Sequence, residues 1–360
     1  MKEFYCSTKI VSGTGAVAAL KEMKAQRLFL VTDPFFVKNG TADRVAKAAQ
    51  ASEVAIFDKV KPDPDVALAA EGTVQVKSFR PDVIVALGGG STIDCAKAMA
   101  YFSGGDIRLA AVPTTSGSGS EVTDFAVLTH NRVKYPLVDR RLQPEMAVLD
   151  DSFLGQLPPS LVADGGFDVL SHALEAYVAK NASPVTDALA RDAFCAAFAN
   201  LPASFAGKTE VRLQIHNAST LAGMAFTQAG LGLCHAMAHA LGGAFHVPHG
   251  RLNAILLPAV IGCNARLAAG KYARLSRAAG LGGSADTVAV HNLKNGLIRL
   301  RREMKLPVTL AEAGIQPRQV WRQMDDLVKA ALADPCCQTN PVQVEDFMIR
   351  KILEEVTGRG

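Results

Sequence analysis

Four of the eight histidines, His235, His239, His246 and His249, crowd into the apolar stretch GLCHAMAHALGGAFHVPHGRLNAILLP. His235 and His239 are four residues apart, so on a helix both rings project from one face. Upstream, Asp168 and His172 repeat that spacing. A lone buried histidine is usually a hydrogen-bonded core residue, but five beside one carboxylate point to a metal. Three imidazoles and one carboxylate make a borderline donor set that suits Fe²⁺ or Zn²⁺ and disfavours Ca²⁺ or Mg²⁺. Spacing leaves open which of the four clustered histidines are ligands. An ion held by protein alone would be structural, and one with an open position would be a Lewis acid.

A second chemistry sits in the first half of the chain. Leu87-Gly88-Gly89-Gly90-Ser91-Thr92-Ile93 follows a predicted strand and opens a predicted helix. Its glycines let the backbone approach a phosphate, and free N–H groups at the helix start favour an anion. It is neither Gly-x-Gly-x-x-Gly nor a P-loop. After the next strand, Pro113-Thr114-Thr115-Ser116-Gly117-Ser118-Gly119 offers hydroxyls to the same pyrophosphate. Two such loops at the C-terminal ends of parallel strands predict a nucleotide crevice. Asp33 ends an earlier strand, where a carboxylate binds ribose hydroxyls and repels a 2′-phosphate. That favours NAD over NADP.

The elements that must position these groups fall into two textures. Leu28–Thr32, Val54–Phe57, Val83–Leu87, Leu109–Val112 and Met146–Leu149 are short apolar runs separated by helix-length segments. Such runs predict parallel strands buried on both faces. Residues 1–156 are therefore expected to form a doubly wound, Rossmann-like α/β domain that binds the dinucleotide. From Leu157 onward, Ala-, Leu- and Met-rich segments carry helical spacing, notably Phe167–Lys180, Pro184–Asn200 and Thr209–Ala229. Residues 157–360 are expected to be an all-helical metal-binding and substrate domain. The ligand site would lie in the cleft between the two.

Composition narrows the class. The chain has 360 residues, is 49% hydrophobic and carries a net charge of +4, with no Lys/Arg run, heptad array or short repeat. A nucleic-acid arm, a coiled coil, a repeat solenoid and a disordered scaffold are excluded. Neither a secretory signal nor a membrane span is expected. Seven scattered cysteines without Cys-x-x-Cys fit buried thiols in a reducing cytosol. The expected location is cytoplasmic.

Taken together, these motifs resemble the iron-containing, or group III, alcohol dehydrogenases over essentially the whole chain. Gly88–Ser91 with Asp94 and Lys97 resembles that family's nucleotide turn, Pro113–Glu121 its second loop, and Gly232–Pro258 its histidine signature. Within the family, the likeness is to the short-chain alcohol dehydrogenases of propanediol and ethanolamine breakdown. His216–Phe226 supports that subgroup. The resemblance implies Asp168, His172, His235 and His249 as metal ligands, with iron, or zinc in its place. His239 would stand beside the nicotinamide and substrate as a proton relay, and His246 has no implied role. NAD would be bound through Asp33, Gly89, Gly90, Ser91, Asp94, Thr114, Thr115, Ser118, Lys134 and Leu149. Thr123, Phe125, Val127, Phe226 and Cys336 would face the substrate. Two departures stand out. Gly165-Gly166-Phe167-Asp168 replaces the usual Thr-Gly-Met-Asp, and Ala240 follows His239 where proline is common.

The implied reaction is reversible oxidation of a short primary alcohol, such as 1-propanol or ethanol, to its aldehyde. Phe125 stands where a diol-oxidising relative has a polar amide, which favours a simple alkyl chain. The implied partners are the alcohol or aldehyde, a second copy of the chain in a homodimer or larger oligomer, and enzymes of a bacterial microcompartment. Neither nucleic acid nor a membrane is implied. A glycerol dehydrogenase-like or other polyol or hydroxy-acid dehydrogenase of the same fold is the alternative. A non-catalytic nucleotide- or metal-binding protein is a more distant one.

Overall fold

A computed structural model describes residues 2–130 and 133–358. The chain divides into two compact units, Tyr5–Leu157 and the residues from Pro158 onward, which residues 2–4 join. Those first residues pack with the helical unit through Lys2, whose Nζ donates to the Lys180 carbonyl at 3.0 Å.

Among the described residues, the first unit has eight strands: β1 (Lys9–Ser12), β2 (Arg27–Val31), β3 (Glu53–Phe57), β4 (Val83–Gly88), β5 (Arg108–Pro113), β6 (Phe125–His130), β7 (Val133–Val138) and β8 (Met146–Leu149). Six form one sheet in the order β1-β8-β5-β4-β2-β3, and every pair in it is parallel. Helices α1 (Pro34–Lys38), α2 (Thr41–Ala49), α3 (Val66–Phe79) and α4 (Gly90–Ser103) connect its strands. Alternate side chains feed two cores. Leu28, Leu30, Val83, Val85 and Leu87 pack with Val45 of α2 on one face. Phe29, Val31, Ile84 and Ala86 pack with Val76 and Met99 of α3 and α4 on the other. Burial on both faces is why these strands read as unbroken apolar runs.

Two elements depart from the sequence reading. β1 is an edge strand whose residues are mostly exposed, so no hydrophobic pattern announces it. β6 and β7 form a separate antiparallel hairpin. The hairpin hangs on Lys97 of α4, a side chain with no exposed surface. Its ammonium donates to the Thr123 carbonyl at 2.7 Å, the Thr123 hydroxyl at 2.8 Å and the Phe125 carbonyl at 2.8 Å. Three donors meet three acceptors, which is what a buried ammonium requires. Burial still pulls its pKa down to about 8, against the charges of Asp94, Glu121 and Asp124.

The second unit is helical: α5 (Pro159–Val178), α6 (Pro184–Phe205), α7 (Arg212–Ala229), α8 (Leu233–Phe245), α9 (His249–Ala278), α10 (Asp286–Glu303), α11 (Pro317–Arg322), α12 (Met324–Ala333), α13 (Cys336–Thr339) and α14 (Asp346–Thr357). Local chemistry sets several starts. Pro159 and Pro184 occupy first-turn positions, and Ser183 with Thr186 closes a reciprocal cap on α6. α9 is long and apolar enough to cross a membrane by length and composition, but 67% of its apolar window is buried inside the protein. It is a core helix.

A close helix approach lies at the start of α9. A Cβ on Gly250 would fall 1.9 Å from the backbone oxygen of Asp164 in α5. Arg251 locks the same crossing, donating from Nε at 3.2 Å and from Nη2 at 2.9 Å to the two Asp164 carboxylate oxygens. Asp164 lies one helical turn before Asp168, so this clamp sets the position of His249 against Asp168.

Candidate metal centre and dinucleotide turns

In the helical unit, Asp168 and His172 come from α5, His235 from α8 and His249 from the first position of α9. Donor atoms of Asp168, His235 and His249 all lie within 4.8 Å of one another. Asp168 Oδ1 is 3.9 Å from His235 Nε2 and 3.6 Å from His249 Nε2. These separations exceed a hydrogen bond. They approach the ~3.4 Å between donors that share a tetrahedral ion at about 2.1 Å. His172 stands beside this trio, with Nδ1 3.9 Å from Asp168 Oδ1. Its ring stacks on His235 and on Phe226, each at 4.4 Å between centroids.

Buried groups around the trio fix its geometry and protonation. Glu175, three residues past His172 on α5, lies 2.6 Å from His235 Nδ1. That contact places a proton on Nδ1 and leaves the Nε2 lone pair toward Asp168. The same carboxylate caps the start of α8, accepting from the backbone N–H groups of Gly232 at 3.0 Å, Cys234 at 2.7 Å and His235 at 3.3 Å. Burial raises the Glu175 pKa to about 7 against those backbone donors. Burial, then the neighbouring His172 and His239, holds the His235 pKa well below the usual imidazole value, so the ring stays neutral. Asn253 donates from Nδ2 to Asp168 Oδ1 at 2.9 Å and fixes the carboxylate from the other side. A neutral His235 nitrogen oriented by Glu175 and a carboxylate held by Asn253, beside the His249 and His172 rings, fit a divalent ion of the iron or zinc kind.

His239 stands one turn beyond His235, its side chain one-third exposed. Its ring stacks on His249 with centroids 5.0 Å apart. Nδ1 meets Asp334 Oδ2 at 2.8 Å. His246 lies outside the cluster at the C-terminal cap of α8, in the left-handed region with φ 57°, where its N–H bonds Gly242. Cys336 opens α13, and burial lifts its thiol pKa well above the ordinary range. Sequence reasoning did not reach Glu175, Asn253 or Asp334. Glu175 had left a trace, because Asp168, His172 and Glu175 follow the i, i+4, i+7 spacing of one helix face.

In the α/β unit, the sheet order reverses between β2 and β4, the topology at which open parallel sheets bind ligands beyond their strand ends. Asp33 and Gly88–Gly90 follow those two strands. Thr32 ties them together, its hydroxyl donating to the Leu87 carbonyl at 2.8 Å. Gly89 caps α4 without a side-chain partner. The Thr114 N–H donates to the Gly88 carbonyl at 3.0 Å, joining the two loops. A Cβ on Gly90 would meet the Ser118 hydroxyl at 2.7 Å, and one on Gly89 the Thr115 hydroxyl at 3.0 Å. Asp33 Oδ1 accepts from Phe35 N at 2.8 Å as the cap of α1. Leu149 is buried at the end of β8. Parallel pairing puts the ends of β2, β4, β5 and β8 on one edge of the sheet.

The other expected residues also make contacts within the protein. Ser91 Oγ accepts from Asp63 N at 3.3 Å, and Lys134 pairs with Asp63 at 2.6 Å. Asp94 is buried, and Oδ2 accepts the Val127 N–H at 3.0 Å. Burial raises its pKa, against the charge of Lys97. Thr123 is fully buried, with its hydroxyl on Lys97. Phe125 and Val127 are partly buried on β6, and Phe226 is buried in α7.

Residues 7–151 match the family model of iron-containing alcohol dehydrogenases, and residues 162–357 match the C-terminal model of the same family. The chain is 42% identical to the 1-propanol dehydrogenase PduQ of Citrobacter freundii, covering 99% of this chain and 100% of that one. It is 38% identical to the NADPH-dependent butanol dehydrogenase of Clostridium saccharobutylicum, over 98% and 97% of the two chains. Among solved structures, the sulfoacetaldehyde reductase of Bifidobacterium kashiwanohense in complex with NAD⁺ aligns with a TM-score of 0.91 at 26% identity, covering all of both chains.

Proposed function

The chain belongs to the iron-containing alcohol dehydrogenase family and interconverts an alcohol with its aldehyde, and from that premise we propose that its substrate is a short primary alcohol such as 1-propanol or ethanol. The convergence of Asp168, His235 and His249 within 4.8 Å, braced by Glu175 and Asn253, is the observation that carries this reading. Together with His172 these residues would hold the divalent ion. When bound, the ion supplies Lewis acidity that brings the pKa of an alcohol hydroxyl toward neutrality. NAD supplies the hydride acceptor, or its reduced form the donor.

The remaining work belongs to the protein. Glu175 keeps the His235 ring in the tautomer that presents Nε2, and Asn253 holds the Asp168 carboxylate in place. The turns at Gly89–Ser91 and Thr114–Ser118 would bind the pyrophosphate through backbone and hydroxyl donors. Asp94, Lys134 and Leu149 would complete the dinucleotide contacts. Asp33, oriented by the Phe35 N–H, would take the ribose hydroxyls. A carboxylate there repels a 2′-phosphate, which supports NAD despite the NADPH-dependent relative. His239 would relay the proton released on oxidation. The reading also takes in a homo-oligomer, in the cytoplasm or among the enzymes of a bacterial microcompartment. The likeness to the propanediol and ethanolamine subgroup supports it.

Substrate choice follows from the candidates expected to face it. Phe125, Val127 and Phe226 are apolar, the Thr123 hydroxyl is bound to Lys97, and Cys336 is a protonated thiol. A second hydroxyl on the substrate finds no strong partner among these groups, and leaving one unpaired costs about 1–3 kcal/mol. Anaerobically purified enzyme with its metal quantified should therefore turn over 1-propanol with NAD at roughly ten times the kcat/KM for 1,2-propanediol, or more. A preference for the diol would overturn the substrate assignment. A preference for NADP would overturn the role of Asp33, and no activity across C2–C4 alcohols and aldehydes would overturn the whole reading.

A further inference from the structure

We propose that Asp334 is a positioning residue that holds His239 in the one tautomer able to accept a proton at Nε2. The proposal rests on the reading of His239 as proton relay and adds the group that makes it competent. Asp334 follows α12, and both of its carboxylate oxygens are engaged. Oδ2 lies 2.8 Å from His239 Nδ1, and Oδ1 accepts the Cys336 N–H at 2.8 Å. An ionised carboxylate can only accept, so the proton of the neutral ring must sit on Nδ1 and the lone pair on Nε2. Burial works against ionisation of Asp334, but the hydrogen bonds it accepts from His239 and the Cys336 N–H lower its pKa. The stack of His239 on His249, with ring planes 15° apart, fixes the ring against rotation out of this bond.

The same three residues, His239, Asp334 and Cys336, have donor atoms within 4.8 Å of one another. A second metal is the competing use of that cluster, and the distances argue against it. A 2.8 Å N···O contact is a hydrogen bond, whereas donors sharing a tetrahedral ion stand about 3.4 Å apart. Burial and the adjacent Asp334 charge also keep the Cys336 thiol protonated, which removes the sulfur donor such a site would need.

The experiment compares Asp334→Asn with the parent enzyme. The asparagine is isosteric, and the Cys336 N–H claims its carbonyl oxygen. The amide NH₂ then faces His239 Nδ1 and drives the ring proton to Nε2. With metal content and KM unchanged within about twofold, kcat should fall about 10- to 100-fold, the range for losing an orienting partner. ¹⁵N NMR of histidines in the zinc-loaded holoenzyme should show His239 protonated on Nδ1 in the parent and on Nε2 in the variant. A parent ring protonated on Nε2 overturns the proposal without any variant. So does an Asp334→Asn enzyme that keeps full kcat, or one whose loss is matched by lost metal. His239→Gln separates the two levels. If it lowers kcat and Asp334→Asn does not, only the positioning role fails. If it leaves kcat intact, the relay reading itself fails.

Discussion

Asp168→Ala is expected to lose its metal and to cut turnover by at least about 10³-fold, while the protein remains folded. Asp168 is the carboxylate among the four expected ligands, with Oδ1 3.6–3.9 Å from His172, His235 and His249. Removing it leaves three imidazoles and a buried Glu175, a weak set for a dication. The Lewis acidity at stake is worth several kcal/mol, and 4 kcal/mol corresponds to about 10³ in rate. Chelation of the parent enzyme should reproduce the loss, and adding Fe²⁺ or Zn²⁺ should restore activity to the parent but not to the variant. Metal analysis beside steady-state rates checks this. A metal-free parent that keeps full NAD-linked turnover would refute the role assigned to the ion.

The second large effect comes from a residue without a side chain. Gly250→Ala places a Cβ at 1.9 Å from the Asp164 carbonyl oxygen, where real Cβ atoms keep at least 3.0 Å. The obstacle is backbone, so α5 and α9 must move apart by more than an ångström. Overpacking of this kind costs about 1–3 kcal/mol of stability. The displacement also carries His249 away from Asp168, and a misplacement of ~1 Å can cost about 10²-fold in rate. Lower Tm, lower bound metal and lower kcat are expected together. Gly166→Ala is the comparison, because the three atoms nearest its Cβ all belong to the Leu201 side chain and none to backbone. Equal damage from both variants would show that the backbone contact is not what matters.

Much of this was legible in the sequence because the informative residues are local. Continuous apolar runs mark the four central strands, β2, β4, β5 and β8, since a parallel strand inside the sheet is buried on both faces and has no polar side to interrupt it. Helical spacing placed Asp168 with His172 and His235 with His239. What it could not do was join the pairs, because α5 and α8 meet only through tertiary packing. Glu175 was hidden in plain view, as an acidic residue on an apolar helix ordinarily reads as a surface group. Asp334 lies 95 residues from His239, and no periodicity links them. β1 escaped because its four residues, Lys9–Ser12, put only two apolar side chains between polar ends. The hairpin escaped because its turn to the helix face depends on Lys97, whose role emerges only once α4 and Thr123 are side by side.

An ammonium enclosed by protein oxygens is shielded from reagents that attack free amines. Acylation of the native enzyme should modify its surface lysines and spare Lys97 until the β6–β7 ribbon lifts from α4. The extent of labelling at that one position, read by mass spectrometry after proteolysis, therefore serves as an internal gauge of local opening in the dinucleotide half of the molecule.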